Sequence, residues 1–345
     1  ATLIQALKQE GFEVEEGLAG IPTAFKAVYG TGKPVIGFLG EYDALASMSQ
    51  KACVSHKEPV QEGAPGHGCG HCNLGAGALA AAVATKDFMR ERNMQGTVVY
   101  FGCPAEEAGC GKTFMARDGV FDCMDVALTW HPNTMNAVWA TSSLSEIDVV
   151  FRFKGRTAHA AACPELGRSA LDAAELMNVG VNYLREHIID QARIHYAFLD
   201  VGGQAPNVVQ DSAALYYCVR APKKHQVDEI YPRVLKIAQG AAMMTETEVS
   251  VEIDTGISDF TPNRTISAVM GRCNVEMGGI EVSPEAKKYA EEIYETLSET
   301  DRGSIVSTLN MQTGLADVEA YAGEKLLGTA FDYVPSSLVL PGSTD

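Results

Sequence analysis

Short apolar runs bounded by glycine punctuate the first third of the chain. Residues 33–40 (KPVIGFLG) and 96–102 (GTVVYFG) have β-branched and aromatic cores, and 125–130 (DVALTW) is a third run of the same kind. Each has the length and composition of a buried strand. Between the first two lies an Ala-rich stretch, 74–93, long enough to predict a helix packed on a sheet. Strands alternating with helices predict a doubly wound α/β domain.

The pattern changes near Ser143. Residues 146–154, 194–201, 213–219 and 247–254 read as strands, the third placing Leu215, Tyr217 and Val219 on one face. Residues 169–186 read as a helix. So do 225–244, where Val227, Ile230, Val234 and Ile237 form a stripe that Pro232 must kink or closely follow the start of. The order βαββαβ predicts an inserted α+β domain. The expected division is 1–142 for the first part of the α/β domain, 143–259 for the insert and 260–345 for the second part. Longer helices return after residue 259. One has Ser283 as N-cap, Pro284 at its first position, and Tyr289, Ile293 and Leu297 four apart. Residues 333–340 (YVPSSLVL) read as a buried strand with no covering helix after it, so the polypeptide is expected to continue past residue 345.

A length of 345 residues fits two domains at roughly 100 to 200 residues each. With 46% hydrophobic and 21% charged residues the chain reads as an ordinary globular protein. Twenty-seven Lys and Arg against 44 Asp and Glu give −17, a field that repels nucleic acid and anionic lipid alike. The longest apolar stretches fall short of the roughly 20 residues a bilayer span needs, and no secretory address can be read from the opening residues. Nine cysteines, an odd number in a chain large enough to build its own core, argue against a disulfide framework and for a reducing, cytoplasmic setting.

Chemistry-bearing residues follow the predicted strands: Glu41-Tyr-Asp43 the first, Glu106-Glu107 the second, His131 the third. In an open α/β sheet, groups at the carboxyl ends of strands converge on one crevice. Ahead of the Ala-rich helix, Gly66-His67-Gly68-Cys69-Gly70-His71-Cys72 sets a thiol and an imidazole two residues apart among glycines that can aim both at one point. Those donors suit zinc and its neighbours. They also read as packing residues, and Cys69-Gly-His-Cys72 has the spacing of a redox pair, though without the aromatic approach such pairs carry. Adjacent glutamates are commonly a solvated face; leaving a buried strand, one can ligate a cation while the other moves a proton. His131 reads either as a satisfied core histidine or as a ligand. Cys69, His71, Glu107 and His131 together exceed what one open metal site needs, which raises the expectation of two ions. His159, in Gly155-Arg-Thr-Ala-His159-Ala of the insert, is a surface residue unless the insert or a second subunit covers the crevice. Arg220 and Arg264 are cations that read first as surface charge and second as holders of a substrate anion.

Taken in order, Gly-Glu41-Tyr-Asp43-Ala-Leu, His67-Gly-Cys69-Gly-His71, Pro104-Ala-Glu106-Glu107, Trp130-His131-Pro132, Gly155-Arg-Thr-Ala-His159-Ala and Gly342-Ser-Thr-Asp345 resemble the di-metal amidohydrolases. That family includes aminoacylases, hippurate and indole-acetyl-amino-acid hydrolases, and p-aminobenzoyl-glutamate hydrolases, the branch to which this wording is most similar. The resemblance implies a catalytic domain with an inserted lid and dimerisation domain. It implies two divalent ions, manganese or zinc, on Cys69, His71, Glu107 and His131, with Cys69 bridging. By the same resemblance Asp43 orients a ligand histidine, Glu106 shuttles the proton, His159 meets the scissile carbonyl or the oxyanion, and Asn207 helps bind substrate. The implied substrate is an N-acyl or N-aroyl amino acid, p-aminobenzoyl-glutamate foremost. The alternatives are a dipeptidase or aminoacylase, or a non-catalytic metal-binding subunit. The implied assembly is a homodimer or a pair with a homologous subunit. The family's further ligand histidine near the C-terminus has no counterpart, since no histidine follows His225, and the family's opening helix is expected to be cut short.

Overall fold

A computed structural model describes residues 1–133, 135–279, 281–313, 330–334 and 343–345. The chain divides into two compact units: Ala1–Thr141 with the described residues from Pro262 to Val334 and Asp345, and Ser142–Thr261 with Ser343 and Thr344.

The first unit begins with α1 (Thr2–Gln9), β1 (Glu13–Glu16), β2 (Phe25–Thr31) and β3 (Val35–Glu41), and continues with α2 (His71–Glu91), β4 (Gly96–Cys103), α3 (Gly111–Arg117), β5 (Val126–Leu128) and β6 (Asn136–Trp139). Five strands form one sheet in the order β1-β2-β4-β3-β5. β3, β4 and β5 are parallel, and β1 and β2 add an antiparallel edge. Period-two alternation sends Val98 and Tyr100 of β4 to a face shared with Leu7 of α1 and Ala78, Ala82 and Met89 of α2. Val99, Phe101 and Cys103 go to the opposite face, against Met115 of α3. Covering both faces is what turns the central strands into continuous apolar runs. Tyr100 and Phe101 are fully buried, each contributing roughly 2–3 kcal/mol of transfer free energy.

The second unit contains β7 (Ser145–Lys154), α4 (Ala170–Leu184), β8 (Arg193–Asp200), β9 (Ser212–Ala221), α5 (Lys224–Thr245) and β10 (Glu248–Ile257). This is a βαββαβ order, with an antiparallel sheet β10-β7-β9-β8. Leu215, Tyr217 and Val219 face the two helices, packing with Phe151 of β7, Met177 of α4 and Val234 of α5. Pro232 neither starts nor ends α5. Both Pro232 and Asp228, whose carbonyl loses its helical partner, are exposed, so water can take the missing bond.

After residue 261 the first unit resumes with α6 (Arg264–Met277), α7 (Pro284–Thr296), α8 (Glu299–Thr313) and β11 (Ala330–Val334), which pairs in parallel with β6. Ser283 caps α7 by accepting the Ala286 N–H at 3.2 Å. The strand expected at 333–340 therefore starts earlier; residues 335–340 and Gly342 lie outside the described residues. Among the described residues no helix is long and apolar enough to cross a membrane.

Candidate metal centre

The three parallel strands deliver their next residues to one end of the sheet. β3 finishes on Glu41, with Asp43 two residues on; β4 leads into Glu106 and Glu107; β5 leads into His131. The fourth contribution comes from α2, which begins three residues before the expected start. Gly70 precedes it with φ +83°, a left-handed turn that glycine adopts freely, and a Cβ there would come within 3.0 Å of the Pro132 ring. The tight turn sets Cys69 and His71 beside the loop that carries His131. Ala105, next to the glutamate pair, is also held at positive φ, +62°, a local strain of the kind that functional loops store.

Cys69 Sγ lies 3.3 Å from His131 Nε2. His131 Nδ1 sits 2.8 Å from the Pro132 carbonyl, which can only accept, so Nδ1 carries the proton and Nε2 presents its lone pair toward the thiol. The His71 ring is fully buried and stands edge-on to His131, centroids 5.6 Å apart. Asp43 holds two expected ligands at once: Oδ1 is 3.1 Å from His71 Nδ1, and Oδ2 accepts the Glu107 N–H at 2.9 Å. Four carboxylates approach the His71 ring, Glu41 at 3.2 Å, Asp43 at 3.1 Å, Glu107 at 3.7 Å and Glu106 at 3.8 Å. Burial pushes the Cys69 thiol up to about 11, reinforced by Glu107, Glu106 and Glu41. An anionic pocket that disfavours its own thiolate is one that a cation would reverse.

The donor set fits divalent metal. The ligand atoms of Cys69, His71 and His131 lie within 4.8 Å of one another, as do those of Glu41, His71 and Glu106. His71 Nε2 and Glu41 Oε2 are buried without a hydrogen-bond partner, and buried polar atoms are rarely left so. In a third group, Glu146, Asp148 and Cys218 in the second unit, Glu146 is held by protein partners, while Asp148 keeps one buried oxygen, Oδ1, without a partner. Arg220 pairs with Glu146 at 2.7 Å and the Cys218 thiol donates to it at 2.9 Å. Arg220 is thereby committed to Glu146.

Two participants carry little or no signal in the sequence. Glu41 stands at a predicted strand end with no task of its own. Lys112 has no local pattern around it, yet its ammonium, 11% exposed, donates to Glu41 Oε1 at 2.9 Å and also pairs with Asp345, whose Oδ2 accepts the Lys112 backbone N–H at 2.6 Å. Burial opposes the charge on Lys112, but Glu41 and Asp345 outweigh it and hold its pKa above the usual lysine value. The redox reading of Cys69 and Cys72 finds no support: Cys72 is an exposed free thiol on α2, and Cys69 faces His131.

His159 and Asn207 sit together in the second unit. His159 bridges to Val208, and the Asn207 carbonyl accepts the Ala160 N–H at 2.9 Å. His159 Nδ1 accepts the N–H groups of Ala161 and Ala162 at 3.2 and 3.0 Å, so the ring proton is on Nε2, a donor.

The sequence profile of Peptidase family M20/M25/M40 matches residues 37–336. The chain is 45% identical, over 99% of its length, to one of the subunits of p-aminobenzoyl-glutamate hydrolase from Escherichia coli K12, covering 72% of that protein. It is 28% identical over 77% of its length to Xaa-Arg dipeptidase of Mus musculus, covering 60% of it. Among solved structures, an aminohydrolase of unassigned activity from methicillin-resistant Staphylococcus aureus superposes with a TM-score of 0.62 at 18% identity, over 82% of this chain and 76% of that one. With that profile match and that identity, the chain belongs to Peptidase family M20/M25/M40 and is a metal-dependent amidohydrolase.

Proposed function

We propose that the protein hydrolyses the amide bond of an N-acyl or N-aroyl amino acid, p-aminobenzoyl-glutamate foremost, at a centre of two divalent ions, manganese or zinc, held by Cys69, His71, Glu107 and His131. Bound there, the ions lower the pKa of water and polarise the carbonyl. Glu106 takes the proton from the attacking water as its oxygen bonds to the carbonyl carbon, then hands that proton to the amine nitrogen as the C–N bond breaks. Asp43 is a positioning residue, fixing the His71 ring through Oδ1 and the Glu107 backbone through Oδ2. His159 offers its Nε2–H to the negative charge that develops on the carbonyl oxygen, and Asn207 beside it contacts the substrate.

The observation that carries this reading is the pairing of Cys69 Sγ with His131 Nε2 at 3.3 Å beside an imidazole ringed by carboxylates. The identity to a p-aminobenzoyl-glutamate hydrolase subunit supports the substrate. Similarity to an Xaa-Arg dipeptidase keeps dipeptides as the second reading. We take the assembly to be a homodimer. Pairing with a homologous subunit is the alternative, supported by relatives named as two different subunits of one hydrolase. Nine free cysteines support a cytoplasmic setting.

The test is amine release from p-aminobenzoyl-glutamate by full-length protein reconstituted with manganese or zinc, beside Glu106→Ala. Release should require metal and vanish in the variant. Metal-loaded protein that releases nothing removes this substrate and sends the search to a dipeptide and acyl-amino-acid panel; turnover surviving in Glu106→Ala removes the proton shuttle.

A further inference from the structure

Glu41 is used nowhere in the chemistry above, although the residue is buried and its carboxylate stands beside the His71 ring. Its two oxygens have different surroundings. Oε1 accepts from Lys112 Nζ at 2.9 Å, whereas Oε2 lies 3.2 Å from His71 Nε2 and has no hydrogen-bond partner, nor does that nitrogen. With Nδ1 of the ring held by the Asp43 carboxylate, the ring proton belongs on Nδ1 and Nε2 keeps its lone pair. Two buried lone-pair atoms side by side repel each other. Leaving buried polar atoms without partners is costly.

One arrangement removes that cost. Two ligand atoms at about 2.1 Å from a tetrahedral cation stand ~3.4 Å apart, close to the 3.2 Å seen between Oε2 and Nε2. The alternative is an imidazolium–carboxylate pair, which would make a hydrogen bond between these atoms, and none is formed.

We propose that Glu41 is a ligand of the ion that His71 binds, through Oε2 alone, with Lys112 holding Oε1 so that the carboxylate cannot turn to bind by both oxygens. This rests on the metal-centre reading above and adds to it a carboxylate from β3 that the Cys69, His71, Glu107 and His131 set lacks.

The experiment is titration of the metal-stripped full-length protein with Co²⁺, reading affinity by calorimetry and ligand geometry from the visible d–d bands, in wild type, Glu41→Gln and Glu41→Asp. Glu41→Gln should weaken one site at least tenfold and shift its bands, with the far-ultraviolet circular dichroism unchanged. Weaker binding with unshifted bands would make Glu41 a nearby charge and overturn the proposal, as would unchanged affinity. Should Glu41→Gln not fold, Glu41→Asp, one methylene shorter, is read by the same two criteria. Wild-type protein that binds Co²⁺ yet releases no amine refutes the substrate and leaves this test intact; wild-type protein that binds no Co²⁺ refutes the metal centre and Glu41's part in it together.

Discussion

Replacing Lys112 by Met probes the charge arrangement without replacing any proposed metal ligand. The ammonium sits between the carboxylates of Glu41 and Asp345, whose side chains are 7% and 0% exposed. Met fills a similar volume, so packing is largely kept, but two buried carboxylates lose their counter-charge. Removing one partner of a buried pair typically costs about 3–5 kcal/mol. Because Lys112 itself gives up a desolvation penalty, the lower end applies, about 3 kcal/mol or on the order of 100-fold in the folding equilibrium. Urea unfolding in the presence of chelator isolates this from metal binding. Both tryptophans, Trp130 and Trp139, belong to the first unit, so fluorescence reports the unit that holds Lys112. Adding Glu41→Gln to Lys112→Met removes one orphaned charge and should recover about 1–2 kcal/mol. A single-variant loss below about 1 kcal/mol, or a double variant no better than the single, would refute the reasoning.

Asp43→Ala should lower metal affinity about 10–100-fold, measured by calorimetry, since it frees both the His71 ring and the Glu107 backbone; unchanged affinity would count against its positioning role. Burial, then the Glu146 charge, pushes the Asp148 carboxyl up to about 6. The folded state thus holds this proton better than the unfolded one, and stability falls as pH rises from about 4 to 6. Asp148→Asn should gain about 1 kcal/mol at pH 8, discounted for partial exposure, and nothing near pH 4, in thermal melts across that range. Asp259 goes the other way: burial opposes its charge, but Lys223 Nζ at 2.8 Å and the Lys224 N–H at 2.9 Å hold its pKa below the usual value. Its contribution is present above the ordinary aspartate pKa and lost as pH falls through the depressed one. Asp259→Ala should cost about 1 kcal/mol at pH 7, and a cost that persists in strong acid would contradict the assignment.

How much was legible depended on how many faces a segment buries. β3 and β4 pack on both sides, so their apolar runs were plain in the sequence. β1 (EVEE) lies at the sheet edge with three exposed residues of four and gave no signal. The βαββαβ order of the second unit was legible because its sheet covers one face, which leaves the alternation of Leu215, Tyr217 and Val219 intact. The start of α2 was placed three residues late because the apolar, Ala-rich run begins at Leu74, while His71-Cys72-Asn73, which carries no such pattern, forms the first helical turn. At the metal centre, residues that follow apolar strands could be read from position alone. Lys112 could not: its partners lie 71 and 233 residues away, and no local pattern announces a pairing at that range.

Charge balance supplies a further argument for two ions over one. Glu41, Asp43, Glu106 and Glu107 bring four negative charges around His71, while Lys112 and Asp345 cancel. One divalent ion leaves a net charge of about −2 in a largely buried space, and about −3 once Cys69 ionises. Two leave zero, or −1 with the thiolate, a balance a buried site can hold. Burial is the first cause of the raised Cys69 pKa, and the carboxylates that add to it are those that the ions would neutralise. Equilibrium dialysis of the full-length protein should therefore find two ions per chain bound with similar strength. Saturation at a single ion, with the second site empty at millimolar metal, would mean that protons on the carboxylates supply the balance, and the two-ion centre would fall.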